Sequence, residues 1–155
     1  MVKLAPSVLI IEARFYEDIA NELARGATEE LRTRGIGFER VAVSGALEIP
    51  IALSAAIAAK AVAPSGRHHG CVALGCVIRG ETSHYDIVAN ESARALLDIG
   101  VAHAIPVGNG ILTVDNRDQA WARASVDGNN KGAVAAAACA DLISLAAKFA
   151  RKTGP

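Results

Sequence analysis

Apolar and polar positions alternate along this chain in two different rhythms. Ser7 to Ile11 (SVLII) is a continuous apolar run, the pattern of a strand buried on both faces. From Glu17 to about Arg34 the rhythm becomes helical, with Ile19, Leu23, Ala27 and Leu31 stacked on one face. Gly35 and Gly37 then end that helix. Phe38 to Val43 (FERVAV) predicts a second strand, and Pro50 suits the first turn of a helix running to about Ala61. Cys71 to Ile78 (CVALGCVI) predicts a third buried strand, followed by a helix from about Tyr85 to Leu97. Ala102 to Val107 (AHAIPV) is the expected fourth strand, and Gly110 to Val114 (GILTV) fits either a strand or a loop. Helices over 117–124 and 130–151 complete the pattern.

Strand and helix therefore alternate, with no repeat or linker. Alternation of this kind predicts a three-layer αβα sandwich: a four-stranded parallel flavodoxin-like sheet with right-handed crossovers and helices on both faces. The 155 residues fit one domain spanning 1–155. In such a sheet ligands bind at the carboxyl ends of the strands.

Composition narrows the function classes. Sixteen basic and sixteen acidic residues cancel, so neither nucleic acid nor an acidic membrane surface is the expected partner. The opening segment has only a four-residue apolar run (VLII) before Glu12 and Arg14, which does not suit a signal peptide. The most apolar stretch, GAVAAAACADLISLAA, carries Asp141 and much alanine, and is expected as a packed helix rather than a membrane span. Cys71, Cys76 and Cys139 are odd in number and form no C-x-x-C pair, which suits buried thiols in a reducing cytoplasm. Neither the G-x-G-x-x-G spacing of dinucleotide binders nor a nucleophile elbow is present, and no His or Cys pair has metal-ligand spacing.

Polar chemistry gathers where strands are expected to end. Arg14-Phe15-Tyr16 follows the first, Ser44 to Glu48 the second, and Gly80-Glu81-Thr82-Ser83-His84 the third. Gly108-Asn109-Gly110 follows the expected fourth, so all four groups should share one edge. Phe15 either plugs the core or offers a flat face to a heteroaromatic ring. Glu48 is either a helix-start acid or a carboxylate for a hydroxyl-rich ligand. Thr82 is either a simple N-cap or, with Glu81, part of a phosphate cradle at a helix N-terminus. His84 stands beside that cradle and can move protons near neutral pH. His68 and His69 are expected in a loop, and His103 at the start of a strand. Arg123 and Lys131 either solvate helix faces or supply a phosphate counter-charge, a task that suits the guanidinium fork.

Six blocks resemble the 6,7-dimethyl-8-ribityllumazine synthase family: ARF (13–15), SGALEIP (44–50), LGCVIRGETSHYD (74–86), GNGILTVDN (108–116), QAWARA (119–124) and NKG (130–132). The resemblance runs from about Val8 to Phe149. It implies condensation of 5-amino-6-ribitylaminouracil with 3,4-dihydroxy-2-butanone 4-phosphate, in riboflavin biosynthesis, with no metal or redox cofactor. It also assigns roles. Phe15 stacks on the pyrimidine, Ala46, Leu47 and Glu48 line the ribityl pocket, and the backbones of Cys76, Val77 and Ile78 read the uracil edge. Glu81, Thr82 and Arg123 bind phosphate, and His84 is the general acid/base. Lys131 adds positive charge close by. The family's sites straddle subunits of a homopentamer, with Asn109, Arg123 and Lys131 coming from the neighbour.

Two positions depart from the family pattern. Asn109 stands where many members carry an aromatic residue, and Cys76 where Thr is usual. They sustain an alternative in which the protein is a weakly active lumazine- or riboflavin-binding paralogue. Only Met1 to Pro6 precede the first strand, so a free pentamer is expected rather than an icosahedral shell.

Overall fold

The computed structural model describes residues 5–152; Met1–Leu4, invoked above for the assembly, lie outside them. Strand β1 (Ser7–Ala13), helix α1 (Glu17–Thr33), strand β2 (Gly37–Val43), helix α2 (Glu48–Ala58) and strand β3 (Gly70–Ile78) follow in order. Helix α3 (His84–His103), strand β4 (Val107–Val114), helix α4 (Arg117–Ala124) and helix α5 (Lys131–Lys152) complete the chain. The four strands form one parallel sheet in the order β2-β1-β3-β4.

Alternating residues of β1 build two cores, as a strand covered on both faces must. Val8 and Ile10 pack with Ile19, Leu23 and Leu31 of α1 and with Ala135, Ala136 and Cys139 of α5. Leu9 and Ile11 pack on the other face with Ile49 and Leu53 of α2 and Leu96 of α3. Helix α1 ends where Gly35 enters the left-handed region (φ 69°), and Ile36 N–H closes on the Leu31 carbonyl at 2.9 Å.

Two expectations fail at the fourth strand. Residues 102–103 belong to α3, which ends only at Ala104 in a left-handed cap (φ 53°). His103 is thus the last residue of a helix, not the first of a strand. The strand is Val107–Val114, with GILTV inside it. Being an edge strand, β4 alternates buried and less buried positions and lacks the unbroken apolar run that marks β1 and β3.

Helix α5 is apolar and long enough, by length and composition, to span a membrane. Here its small residues Ala135, Ala136, Cys139 and Ala140 dock it on the sheet as a core helix. The packing is close: a β-carbon on Gly108 would lie 2.0 Å from the Ala135 carbonyl oxygen.

Candidate active site

The strand order reverses direction at β1 and β3. The chain leaves β1 toward β2 and leaves β3 toward β4, which opens a crevice between the carboxyl ends of β1 and β3. Register deepens it. Pairing of β1 with β3 stops at Glu12–Leu74, whereas β3 continues to pair with β4 as far as Ile78–Val114. Cys76, Val77 and Ile78 therefore run past the pairing with β1, and their β1-side backbone faces the crevice.

Phe15 follows β1 directly and is 78% exposed, so it does not plug the core. Its ring meets Tyr16 edge-on at 4.9 Å. Beyond β2, Ala46 is buried, Leu47 half-buried, and Glu48 opens α2 with its side chain exposed. The Glu48 carboxylate folds back over Gly45, where an added β-carbon would lie 2.9 Å from Oε2. The negative group thus sits at the helix's positive end, stabilised there yet open to a ligand.

After β3 the chain turns through exposed Gly80, Glu81, Thr82 and Ser83 into α3. Thr82 is not the cap residue. Ser83 holds that position without a side-chain capping bond, and Thr82 Oγ1 accepts instead from the His84 N–H at 3.3 Å. His84 is the first residue of a 20-residue helix and its side chain is exposed. The turn thus presents a hydroxyl, an imidazole and the dipole end of a long helix to one space.

Burial holds the half-buried Cys76 thiol protonated, pushed up to about 11 from 9.0, against a smaller opposing effect of Arg117. It acts as an uncharged wall. Cys139, deeper in the core, is pushed up to about 12 for the same reason. Cys71 rises further still.

Arg79, which sequence pattern did not single out, braces this edge. Its guanidinium lies 4.2 Å over the Tyr85 ring and pairs with Asp115 at 3.1 Å and Asp86 at 3.5 Å. It ties the end of β3 to the first turn of α3 and the end of β4. The available signal was an arginine between a strand end and a glycine, with a first-turn Asp downstream.

Gly108-Asn109-Gly110 does not lie where the sequence pattern put it. Asn109 does not follow a strand but pairs with Ala73 near the beginning of β4, five residues before Val114. That is about 16 Å from the carboxyl edge. Gly108 and Gly110 turn toward α5, so their role is close packing and not a ligand turn. Asn109 lies between these glycines on the other face of β4, and its Oδ1 accepts from the Ile111 N–H at 2.9 Å. It borders an apolar groove of about 570 Å³ lined by Leu97, Val101, Leu142, Leu145 and Phe149.

Arg123 lies in the last turn of α4, half-buried, with Nη1 donating to the Gln119 carbonyl of its own helix at 3.2 Å. Lys131 opens α5 and is exposed; the next residue, Gly132, packs on the Leu23 backbone midway along α1. The strand-end residues Phe15, Ala46 to Glu48, Cys76 to Ile78 and Glu81 to His84 thus share one edge, and Asn109 stands apart from them. Of the remaining histidines, His68 is a buried residue bridging Ser7 and Glu39, and His69 Nδ1 accepts from the Ser7 N–H.

Residues 5–147 match the profile of the 6,7-dimethyl-8-ribityllumazine synthases. The chain belongs to that family. It is 50% identical to the 6,7-dimethyl-8-ribityllumazine synthase of Afipia carboxidovorans, over 93% of this chain and 88% of the relative. It is 52% identical to that of Xanthobacter autotrophicus, covering 89% and 83%. With 6,7-dimethyl-8-ribityllumazine synthase 1 of Rhizobium meliloti it shares 50% identity, covering 94% and 95%.

Proposed function

We propose that this protein condenses 5-amino-6-ribitylaminouracil with 3,4-dihydroxy-2-butanone 4-phosphate to give 6,7-dimethyl-8-ribityllumazine. What supports the reading is that Phe15, the overhanging backbone of Cys76–Ile78 and the Gly80–His84 turn all lie at or just past the carboxyl ends of β1 and β3. A ring, a polyol and a phosphate are the three chemistries those groups suit.

In this reading the pyrimidine lies on Phe15 with its polar edge against the Cys76–Ile78 backbone. The ribityl chain passes Ala46 and Leu47 toward Glu48, whose carboxylate accepts from its hydroxyls. The phosphate rests against the Glu81–Thr82 turn at the start of α3. The substrate's amine adds to the ketone and loses water to form an imine. Proton loss from carbon and departure of phosphate follow, and the ribitylamino nitrogen then closes the second ring with loss of another water. His84 carries protons in these steps. Holding two reactants in register supplies most of the acceleration.

The site is proposed to be completed by a neighbouring copy in a homopentamer. Asn109 lies too far down its own strand to reach its own crevice, and it borders an exposed apolar groove suited to burial against another chain. The neighbour's Asn109 then flanks the ring, its Arg123 meets the phosphate, and its Lys131 adds positive charge. A cytoplasmic location and a single domain over the whole chain belong to the same proposal.

The test is turnover. Purified protein mixed with both substrates should form the fluorescent lumazine well above the uncatalysed rate. Tight lumazine binding with only background condensation would instead favour the binding paralogue.

A further inference from the structure

Glu12 is the polar exception on the α1-facing side of β1, which otherwise carries Val8 and Ile10. Its side chain is only 4% exposed and is held by two arginines. Arg40 of β2 binds both carboxylate oxygens, Nε to Oε2 at 2.6 Å and Nη2 to Oε1 at 3.0 Å. Arg14 donates from Nη1 to Oε1 at 2.6 Å and from Nη2 to Asn21 of α1. One guanidinium thus spans from the end of β1 to the second turn of the helix that follows, across the turn that carries Phe15.

That turn needs an external hold. Tyr16 occupies the N-cap position of α1 and makes no side-chain capping bond. Phe15, largely exposed, meets the Tyr16 ring along one edge. A ring in that setting loses rotamer freedom on binding a ligand, a loss that prior fixation of its backbone reduces. The carboxylate that anchors Arg14 is itself fixed from β2, so the restraint passes from the sheet through Glu12 to Arg14 and then to the Phe15 backbone.

We propose that Arg14, anchored on the buried Glu12 carboxylate that Arg40 also holds, is a positioning residue that fixes the Phe15 ring for stacking on the pyrimidine. The inference rests on the proposed contact between Phe15 and that ring. Arg14 touches no substrate and acts only through its neighbour. Its removal leaves Glu12 paired with Arg40, so the buried carboxylate keeps a partner and the fold survives.

The experiment uses the full chain and two probes: 6,7-dimethyl-8-ribityllumazine, titrated by its fluorescence, and inorganic phosphate, measured as an inhibitor. Arg14→Ala is expected to weaken lumazine binding about tenfold, while the phosphate inhibition constant stays unchanged. Arg14→Lys, which can reach Glu12 or Asn21 but not both, should recover part of the loss. In a Phe15→Ala background, Arg14→Ala should add nothing, because the ring it positions is gone. Equal losses for both probes, full additivity with Phe15→Ala, or wild-type affinity in Arg14→Ala would each overturn the proposal. The underlying reading fails separately: Phe15→Ala with unchanged lumazine affinity would remove the stacking contact itself. Should Arg14→Ala yield no folded protein, Arg40→Ala keeps the test alive. That change frees Glu12 from its β2 anchor and is expected to weaken lumazine binding with the same selectivity over phosphate.

Discussion

Gly108 of β4 lies so close to Ala135 of α5 that a β-carbon would stand 2.0 Å from the Ala135 carbonyl oxygen. Gly110 repeats the arrangement, with an added β-carbon 3.0 Å from the Ala135 side chain and 2.8 Å from that of Leu74. The two glycines let an alanine-rich helix lie on the edge strand. Gly108→Ala should therefore force α5 outward and destabilise the fold by about 3 kcal/mol, measured by urea unfolding. A change below about 0.5 kcal/mol would show that the helix shifts freely and that the packing is loose.

His84 stands at the open end of α3, exposed, with its backbone N–H on Thr82 Oγ1. His84→Ala should slow turnover by about 10- to 100-fold, within or just below the usual range for one positioned acid–base group. Steady-state kinetics decides: a loss near a million-fold would make proton transfer, not positioning, the dominant effect. Arg123→Ala should chiefly raise KM for the phosphate-bearing substrate. A collapsed kcat with unchanged KM would reassign that arginine.

Burial holds the Cys76 and Cys139 thiols neutral, at about 11 and about 12 against an ordinary 9.0. A raised thiol pKa stabilises the fold below the unfolded value and loses that contribution as pH climbs through the folded one. Unfolding free energy should thus fall between pH 9 and about 12, and Cys139→Ala should flatten part of that decline. At neutral pH, alkylation of Cys76 by iodoacetamide should be much slower than that of a free thiol. Rapid labelling of the folded protein would contradict the buried, uncharged setting.

Much of this was legible in the sequence because β1, β3 and α1 announce themselves by period. Continuous apolar runs marked the doubly covered strands, and residues four apart marked the helix. The fourth strand is harder to read because an edge strand lacks the unbroken apolar run, and because Ala102 and His103 extend α3. That shift of register altered the site. GNG, expected beyond a strand end, lies inside β4, so its glycines serve packing and Asn109 leaves the crevice. The bracing role of Arg79 is not legible in the sequence because its partners Tyr85, Asp86 and Asp115 converge only through the fold. Glu12 marked the end of an apolar run, yet its burial between Arg14 and Arg40 depends on β2 lying alongside.

Asn109 supplies a further check on the shared site. If it flanks the bound ring of a neighbouring copy, Asn109→Phe should strengthen lumazine binding several-fold by adding an aromatic wall, as judged by fluorescence titration. Unchanged affinity would place residue 109 away from any ring.

If one crevice performs the condensation with residues drawn from two copies of the chain, two inactive copies can repair each other. The most direct measurement mixes two crippled variants, His84→Ala and Arg123→Ala, by co-expression, and assays lumazine formation at low ketone phosphate. In random rings about one interface in four unites an intact His84 with an intact Arg123, so activity should rise toward about a quarter of the unsubstituted protein's. A mixture no more active than the average of its two parents would mean that both residues serve the same chain's site.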